Sequence, residues 1–472
     1  MEAWRQTFYH AMNMFNVLIV LYFFIGNGMY TILMISSLIS VWLHNRRLAY
    51  QGLYELRESV VTPPVTIIMP AWNEQNIIVE SVRSVLKTDY PSLEVIVVDD
   101  GSSDATLSRL IEGFGLIKMD LIYRSRIFTQ PVRGFYLNPR IPNLLVVSKE
   151  NGGKPDALNM GINMTRTPYF CTLDSDCLLE RDALLRLMHP IVKSPINTVV
   201  SGGIVRILNG CEVKDAQVVR VRLPETRLER FQVVEYFRSF LFGRAGWDLL
   251  GGTLIVSGAF AVFHRESVIE SGAFGCDTVT EDMDLIVQLY RWAAQRGRKI
   301  RTSFTSDPVC WTECPSKLGM LARQRRRWQM GLFQTLWKHS EMLFNRKYGV
   351  AGMLSFPFQV YVEGLGAGVE FLGYFMVPIA LLFGMLPPTL WILFVFVGLM
   401  YGGFLSVGAV LLEELTYRRY PSFRDLMNLL LFAFLENLGY RQMVLLFRFQ
   451  GVVRFVMGFR QWEKVVHVGA QT

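Results

Sequence analysis

The chain has 472 residues, 51% of them hydrophobic and 19% charged, and its 48 Lys and Arg outweigh 40 Asp and Glu to give a formal net charge of +8. That length holds one large α/β domain plus several membrane helices, and the crowding of apolar residues into long blocks at both ends excludes a wholly soluble chain. The basic excess is that of a membrane protein facing an anionic leaflet, so no nucleic-acid partner is expected.

Residues 12–43 carry no full charge and end at His44, Asn45, Arg46 and Arg47. The run exceeds the ~20 residues that cross a bilayer. A signal peptide would place its basic residues first and keep a shorter core, so an uncleaved anchor over residues 1–47 is expected, N-terminus outside and Arg46 and Arg47 inside. A hairpin divided at Asn27 and Gly28 is the alternative.

A soluble domain is expected over residues 57–311. Pro63 and Pro64 close the connector, residues 65–69 read as an apolar strand, and Pro70, Ala71, Trp72, Asn73 and Glu74 form a loop opening onto a helix. Ile78, Val82, Val85 and Leu86 share one helical face, and residues 93–98 make a second strand ending in Asp99, Asp100, Gly101, Ser102 and Ser103. A third strand at 143–147 leads into Lys149 to Lys154, a helix covers 155–164, and a strand at 169–173 ends in Asp174, Ser175 and Asp176. Such alternation predicts an α/β domain with mostly parallel strands, whose ligand groups gather at the strands' carboxyl ends. A solvated turn explains any one of these acidic ends; three on one sheet edge point to a site.

Further on, Gly251, Gly252 and the run Ser257, Gly258, Ala259, Phe260 permit close backbone approach to a ligand. Thr280, Glu281, Asp282, Met283 and Asp284 precede the apolar-periodic Leu285, Val287, Leu289 and Trp292, which also suits a capped helix start. The six cysteines all lie in this middle region; Cys310 and Cys314 lack a histidine or second pair at zinc spacing, so reduced thiols are expected.

Residues 312–347 form an amphipathic, interfacial segment containing Gln324, Arg325, Arg326, Arg327 and Trp328. Residues 348–457 hold the C-terminal membrane and interfacial helices. Between Gly364 and Leu412 the one charged residue is Glu370, and Pro387 and Pro388 divide two spans. A carboxylate there must face a polar cavity, pair with a base, or sit at the interface. Glu413, Glu414, Arg418 and Arg419 return the chain to a polar phase on the cytoplasmic side, and the apolar region 426–456, interrupted at 436–442, reads as one span plus an interfacial helix or as two short helices. A tail occupies 458–472.

The ordered set Asp99-Asp100-Gly101, Lys149 to Lys154, Asp174-Ser175-Asp176, Thr280-Glu281-Asp282 and Gln324 to Trp328 resembles the processive membrane family 2 glycosyltransferases, which include poly-N-acetylglucosamine, hyaluronan, chitin and cellulose synthases. The resemblance spans residues 63–328. It implies a GT-A-type α/β domain with a Rossmann-like nucleotide-binding sheet, joined to a helical membrane domain, in a multi-pass protein of the cell membrane with its catalytic domain cytoplasmic.

The same resemblance implies the roles of the residues. Asp100, with Ala71, Asn73 and Glu74, would meet the base or ribose of a nucleotide sugar, and Asp176, supported by Asp174, a Mg2+ or Mn2+ ion on its diphosphate; paired carboxylates are costly to keep ionised without such a cation. Lys154 would lie near the diphosphate, and Asp282 would be the general base of an inverting transfer. Ser257, Gly258, Ala259 and Phe260 would cradle the acceptor and Trp328 would stack on it, while Gln324 and Arg327 organise diphosphate and acceptor contacts. Arg325 and Arg326 are expected outside catalysis, facing phospholipid.

The expected reaction polymerises a UDP-sugar, N-acetylglucosamine ahead of glucose, into an exported β-linked polysaccharide, with Glu370 on or beside the exit path. Transfer of one sugar to a membrane lipid, and a degenerate transferase-like transport or structural subunit, are the alternatives. Because the chain closes at Thr472, shortly after Val456, no appended cyclic-dinucleotide domain of the cellulose synthase kind is expected; control would come from a small membrane subunit, substrate supply or lipid contact.

Overall fold

The computed structural model describes residues 2–50, 53–59, 62–194, 198–384 and 387–459. Its strands are β1 (Val65–Ala71), β2 (Leu93–Asp99), β3 (Ile117–Met119), β4 (Val132–Asn138), β5 (Ile141–Lys149), β6 (Tyr169–Leu173), β7 (Leu178–Leu179), β8 (Thr198–Ile207), β9 (Glu212–Lys214), β10 (Gln217–Arg220), β11 (Phe260–His264) and β12 (Arg301–Thr312). Ten of them form one sheet in the order β3-β4-β5-β2-β1-β6-β11-β8-β12-β7, and β9 pairs with β10 apart from it.

The centre follows from composition. Val65, Ile67, Ile68 and Met69 of β1 are buried on both faces of the sheet, the pattern of a parallel strand covered by helices. The helix Ile78–Leu86 lays Ile78, Val82 and Val85 against one face. On the other face the helix Lys154–Met164 comes so close at Gly161 that a Cβ there would clash with the Ile68 side chain.

The expectation of mostly parallel pairing holds for β5, β2, β1 and β6, and again for β8 with β12. It fails elsewhere. A tight turn, in which Asn138 Oδ1 accepts from Arg140 N at 2.9 Å, folds β4 back antiparallel onto β5, and β11 inserts antiparallel between β6 and β8. The sheet is therefore mixed. The β4–β5 turn is too short for any but an antiparallel return, which hydrophobic runs alone do not reveal.

Among the described residues, four helices are long and apolar enough to cross a membrane: Met12–Leu43, Ala351–Leu382, Pro388–Thr416 and Phe423–Val456. The chain is a membrane protein. The first lies within one continuous helix, Glu2–Tyr50, so no hairpin forms at Asn27 and Gly28; Asn27 Nδ2 instead donates to Val397 O at 2.6 Å. The side chains of Arg46 and Arg47, and most of the expected tail, lie outside what the structure describes. Leu438 and Gly439 leave helical geometry and break the last span into Phe423–Leu435 and Arg441–Val456.

The helices and the sheet are locked by buried charge. Arg206 of β8 donates from both terminal nitrogens to Glu413 at 2.7 Å each, with side chains 2% and 3% exposed. The Phe237 and Tyr417 rings lie 5.8 and 5.7 Å from its guanidinium carbon. Arg419 reaches Glu180 at 2.8 Å and Arg238 reaches Glu436 at 2.6 Å. Glu413→Gln leaves a buried guanidinium without its counter-charge and should cost about 3–5 kcal/mol. Thermal unfolding of the detergent-solubilised chain should show a lowered midpoint, largely recovered by the apolar pair Arg206→Met with Glu413→Leu; an unchanged single variant would refute this account of the junction.

Candidate active site at the strands' carboxyl ends

Ala71, Asp99 and Lys149 end β1, β2 and β5, and Asp174 follows β6, so four adjacent parallel strands deliver their last residues to one edge. Loops there are stitched together. Asn73, at φ +57°, accepts on Oδ1 from Ser103 N at 2.8 Å, while its own N–H donates to Ser102 Oγ at 3.0 Å. Glu74 N donates to Thr106 Oγ1 at 2.8 Å. The left-handed backbone at Asn73 is the kind that an Asn side chain tolerates by bonding locally.

Asp100 is buried. Its carboxylate accepts from Lys149 Nζ at 2.6 Å, Gly153 N at 2.8 Å, Gly152 N at 3.0 Å and Asn151 Nδ2 at 3.1 Å. Lys149 is itself fully buried and also pairs with Asp156. Asp100 thus folds the 149–153 loop around its own charge, a duty that the acidic motif alone does not disclose.

Two of the acids meet around one amine. Lys154 Nζ lies 2.6 Å from Asp174 Oδ1 and 3.2 Å from Glu281 Oε1. Burial disfavours its charge, but Asp174 and Glu281 outweigh that and hold Lys154 cationic above the ordinary lysine range. Asp174 is raised by burial against the pull of Lys154, with Asp176 adding repulsion. Asp282, at the first turn of the helix Glu281–Gln295, accepts from Gly258 N and Met283 N at 2.9 Å each. A Cβ at position 258 would lie 3.0 Å from Asp282 Oδ2, so the glycine is what lets the loop approach the acid. Ser257, Ala259 and Phe260 continue that loop into β11, where Ala259 O accepts from Asp174 N at 3.3 Å. Asp284, by contrast, is buried against Lys338 and His339, at 2.9 and 2.8 Å, and serves packing.

Asp176 Oδ2 accepts from Thr312 Oγ1 at 3.2 Å, beside Cys177. All six cysteines are free thiols. Among the described residues no group of three or more His, Cys, Asp or Glu is assembled as a metal cage. The oxygen donors of Asp174 and Asp176 nevertheless suit a hard divalent ion of the Mg2+ type, which takes one or two carboxylates and completes its shell with substrate phosphates and water.

On the helix Leu318–Lys338, Trp328 is 40% exposed and Arg325 lies beneath it, guanidinium carbon 4.2 Å from the indole centroid. Arg325 does not face lipid as expected. It is buried, donates to Gln324 Oε1 at 2.9 Å and pairs with Glu235 at 2.7 Å. The next residue, Gln329, pins this helix to the membrane bundle: Nε2 donates to Glu363 O and Gly364 O at 3.1 and 3.2 Å, and Oε1 accepts from Arg448 Nε at 2.8 Å. Those carbonyls belong to the π-helical turn Gln359–Gly364, whose wider winding frees backbone groups for side chains.

Residues 66–272 match the model of the family described as Glycosyl transferase family 2. Over those residues the chain is similar to the family 2 glycosyltransferases. Curated relatives include the poly-beta-1,6-N-acetyl-D-glucosamine synthase of Staphylococcus aureus, 26% identical over 272 residues, covering 58% of this chain and 55% of that one. The enzyme of the same name from Staphylococcus epidermidis is 25% identical over the same share. The chain spans about half the length of these relatives. Similar solved structures include a mannosyltransferase, PcManGT, of Pyrobaculum calidifontis with GDP-Man and Mn2+ (20% identity, 88% of this chain and 99% of that one, TM-score 0.49). Another is S. aureus TarS with UDP-GlcNAc (16% identity, 80% and 92%, TM-score 0.38).

Near the Asp282 carboxylate stands a group that the sequence did not single out. Arg244, from the π-helical turn Arg238–Arg244, stacks 3.9 Å from the Phe240 ring centroid. Burial pulls it down to about 10, against the attraction of Asp282. Glu281, the second partner of Lys154, was visible only as a neighbour of the expected base.

Burial, with Glu281 next, raises the Asp282 carboxyl above the ordinary carboxylate range. A raised folded pKa means that the folded domain binds this proton more tightly, so the associated stability is full below the unfolded pKa and is lost as pH rises through the folded one. Asp282→Asn removes that loss. In EDTA buffer the variant should unfold at a higher temperature than its parent near neutral pH, and the gap should shrink as pH falls toward about 4. A constant gap, or none, would refute the strained-carboxylate account.

Proposed function

We propose that this chain is an inverting synthase that transfers N-acetylglucosamine from its UDP conjugate to the end of a growing β-linked saccharide and passes the product across the membrane. The observation that carries the reading is the meeting of Lys154, Asp174, Glu281 and Asp282, which sets a cationic donor side against a carboxylate held by the Gly258 loop. The names of the staphylococcal relatives favour N-acetylglucosamine over glucose.

In this reading Ala71, Asn73 and Glu74 receive the uridine, with Asp100 shaping the floor through the loop it folds. Lys154 and Arg327 face the diphosphate. Asp176 and Asp174 would hold a Mg2+ or Mn2+ ion, which when bound would supply charge neutralisation to the departing diphosphate. Asp282 accepts the acceptor hydroxyl's proton, from within about 3.2 Å, as that oxygen bonds to the anomeric carbon. The bond from that carbon to the diphosphate oxygen breaks on the opposite face, its electron pair leaves with UDP, and the configuration inverts. The backbone of Ser257, Gly258, Ala259 and Phe260 cradles the acceptor sugar, Trp328 stacks on it, and Gln324 steadies the approach.

Export draws support from a polar seam in the helices. Glu363 pairs with Arg448 at 3.0 Å, and Glu370 pairs with Arg441 at 3.5 Å, while Tyr22 and Tyr30 of the first helix hydrogen-bond onto the same span. The seam begins at Gln329, beside Trp328, and offers hydrogen-bonding groups inside an otherwise apolar bundle. The catalytic domain lies on the cytoplasmic side, where UDP-sugars are made.

Purified chain given labelled UDP-N-acetylglucosamine, UDP-glucose and Mn2+ or Mg2+ should yield a polymer ladder with the first donor. A single chloroform-soluble product would replace this reading with transfer to a lipid, and no turnover with any donor would leave a transport or structural subunit. Asp282→Asn should lower turnover by roughly 10²–10⁴-fold with UDP binding retained. EDTA should stop transfer, and added divalent ion should restore it.

A further inference from the structure

A recess of about 410 Å3 lies where the helix Lys154–Met164 ends, and Arg124, Arg126, Arg166 and Arg265 line it. No carboxylate is among its lining residues. Three separate segments supply the arginines: Arg124 and Arg126 come from the stretch between β3 and β4, Arg166 from the turn into β6, and Arg265 from the position after β11. Asn163 holds the first segment in place. Its Oδ1 accepts from Arg126 N at 2.9 Å and from Ile127 N at 3.0 Å, and its Nδ2 donates to Ile127 O at 2.8 Å.

The positive charge there is under-compensated. Arg126 Nη1 donates to both oxygens of Glu266 at 2.7 and 2.8 Å, while Arg265 donates from Nη1 to the same carboxylate at 3.0 Å and from Nε to Ile162 O at 3.2 Å. One acid thus serves two cations, and each keeps its Nη2 without a protein partner among the described residues. Arg124 and Arg166 make no ion pair and no side-chain hydrogen bond among the described residues. Burial, with repulsion from Arg126 added, holds the Arg265 guanidinium below its ordinary range against the pull of Glu266. An anion in the recess would offset that repulsion.

The recess stands apart from the acidic edge of the sheet. Tyr169, the first residue of β6, pairs with His264, the last of β11, so Arg166 and Arg265 flank the amino end of β6 while Asp174 follows its carboxyl end. The five residues of β6 put roughly 16 Å between those ends. Arg206 and Glu180, which tie the sheet to the membrane frame through Glu413 and Arg419, lie toward the carboxyl edge as well. The recess therefore opens to soluble anions rather than to a leaflet. We propose that it binds a soluble diphosphate, whose oxygens Arg124, Arg126, Arg166 and Arg265 span. Planar guanidinium forks match phosphate oxygens in pairs, and the volume is that of a small-molecule site. Four such groups against one carboxylate leave an excess that a single phosphate, at roughly two charges, does not match. No sugar chemistry enters the claim, and its test needs no turnover.

Titration calorimetry of the full chain in mild detergent, with EDTA present to remove divalent ions from the acidic edge, reads the site with sodium pyrophosphate as probe. Pyrophosphate should bind more tightly than inorganic phosphate, and its affinity should fall roughly tenfold or more in the double variant Arg124→Gln with Arg166→Gln. Both positions are exposed, so the double variant should keep the melting temperature of the ligand-free chain. Hydrogen exchange read by mass spectrometry locates the binding: pyrophosphate should protect the amides of residues 120–131. Unchanged affinity in the double variant, equal binding of phosphate and pyrophosphate, or protection confined to the loops at the strands' carboxyl ends would overturn the assignment.

Discussion

One ammonium group holds the centre together. Lys154 Nζ stands between Asp174, delivered by β6, and Glu281, delivered by the helix that also carries Asp282. Without it the acids of two distant segments would face one another in a buried site and repel. With it, the half of the sheet that ends in nucleotide-type loops and the segment that carries the expected base are fixed in one geometry. The position of Lys154 is in turn fixed by the 149–153 loop, which winds around the Asp100 carboxylate. Placement of charge thus runs from the sheet interior outward: Lys149 and Asp156 flank Asp100, Asp100 shapes the loop, and the loop launches Lys154.

The second half of the assembly depends on a neutral amide. Gln329 has its amide donors and its acceptor engaged by three partners, and all of them lie in the membrane bundle. A fully satisfied buried polar network specifies one arrangement more sharply than apolar packing does. The indole of Trp328 is the adjacent residue on that helix, so its facing is inherited from contacts with Glu363, Gly364 and Arg448 rather than from the sheet.

Much of this was readable in the linear sequence. Apolar runs ending in Asp99-Asp100, Lys149 and Asp174 mark both the strands and their functional ends, because a parallel sheet buries its strands and releases polar residues only at their tips. The membrane blocks are equally plain. What stayed hidden depends on partners far away in sequence. Periodicity places Arg325 on a helix face but says nothing of Glu235, which draws it inward, and an isolated Glu370 does not announce Arg441. Nor does any local pattern tell that β11 will enter the sheet antiparallel, since its partners β6 and β8 lie far away in sequence.

The Arg206–Glu413 pair has a consequence for how such chains diversify. A guanidinium sealed between two aromatic rings cannot be left behind when its carboxylate is exchanged, and neither partner belongs to the loops at the strands' carboxyl ends. The sheet domain and the membrane frame are therefore not freely interchangeable modules. A chimera that grafts this sheet onto a foreign set of spans must import an acid at the position of Glu413 or replace Arg206 at the same stroke, so the two halves are constrained to drift as a matched pair even while the loops at the strands' carboxyl ends are free to change.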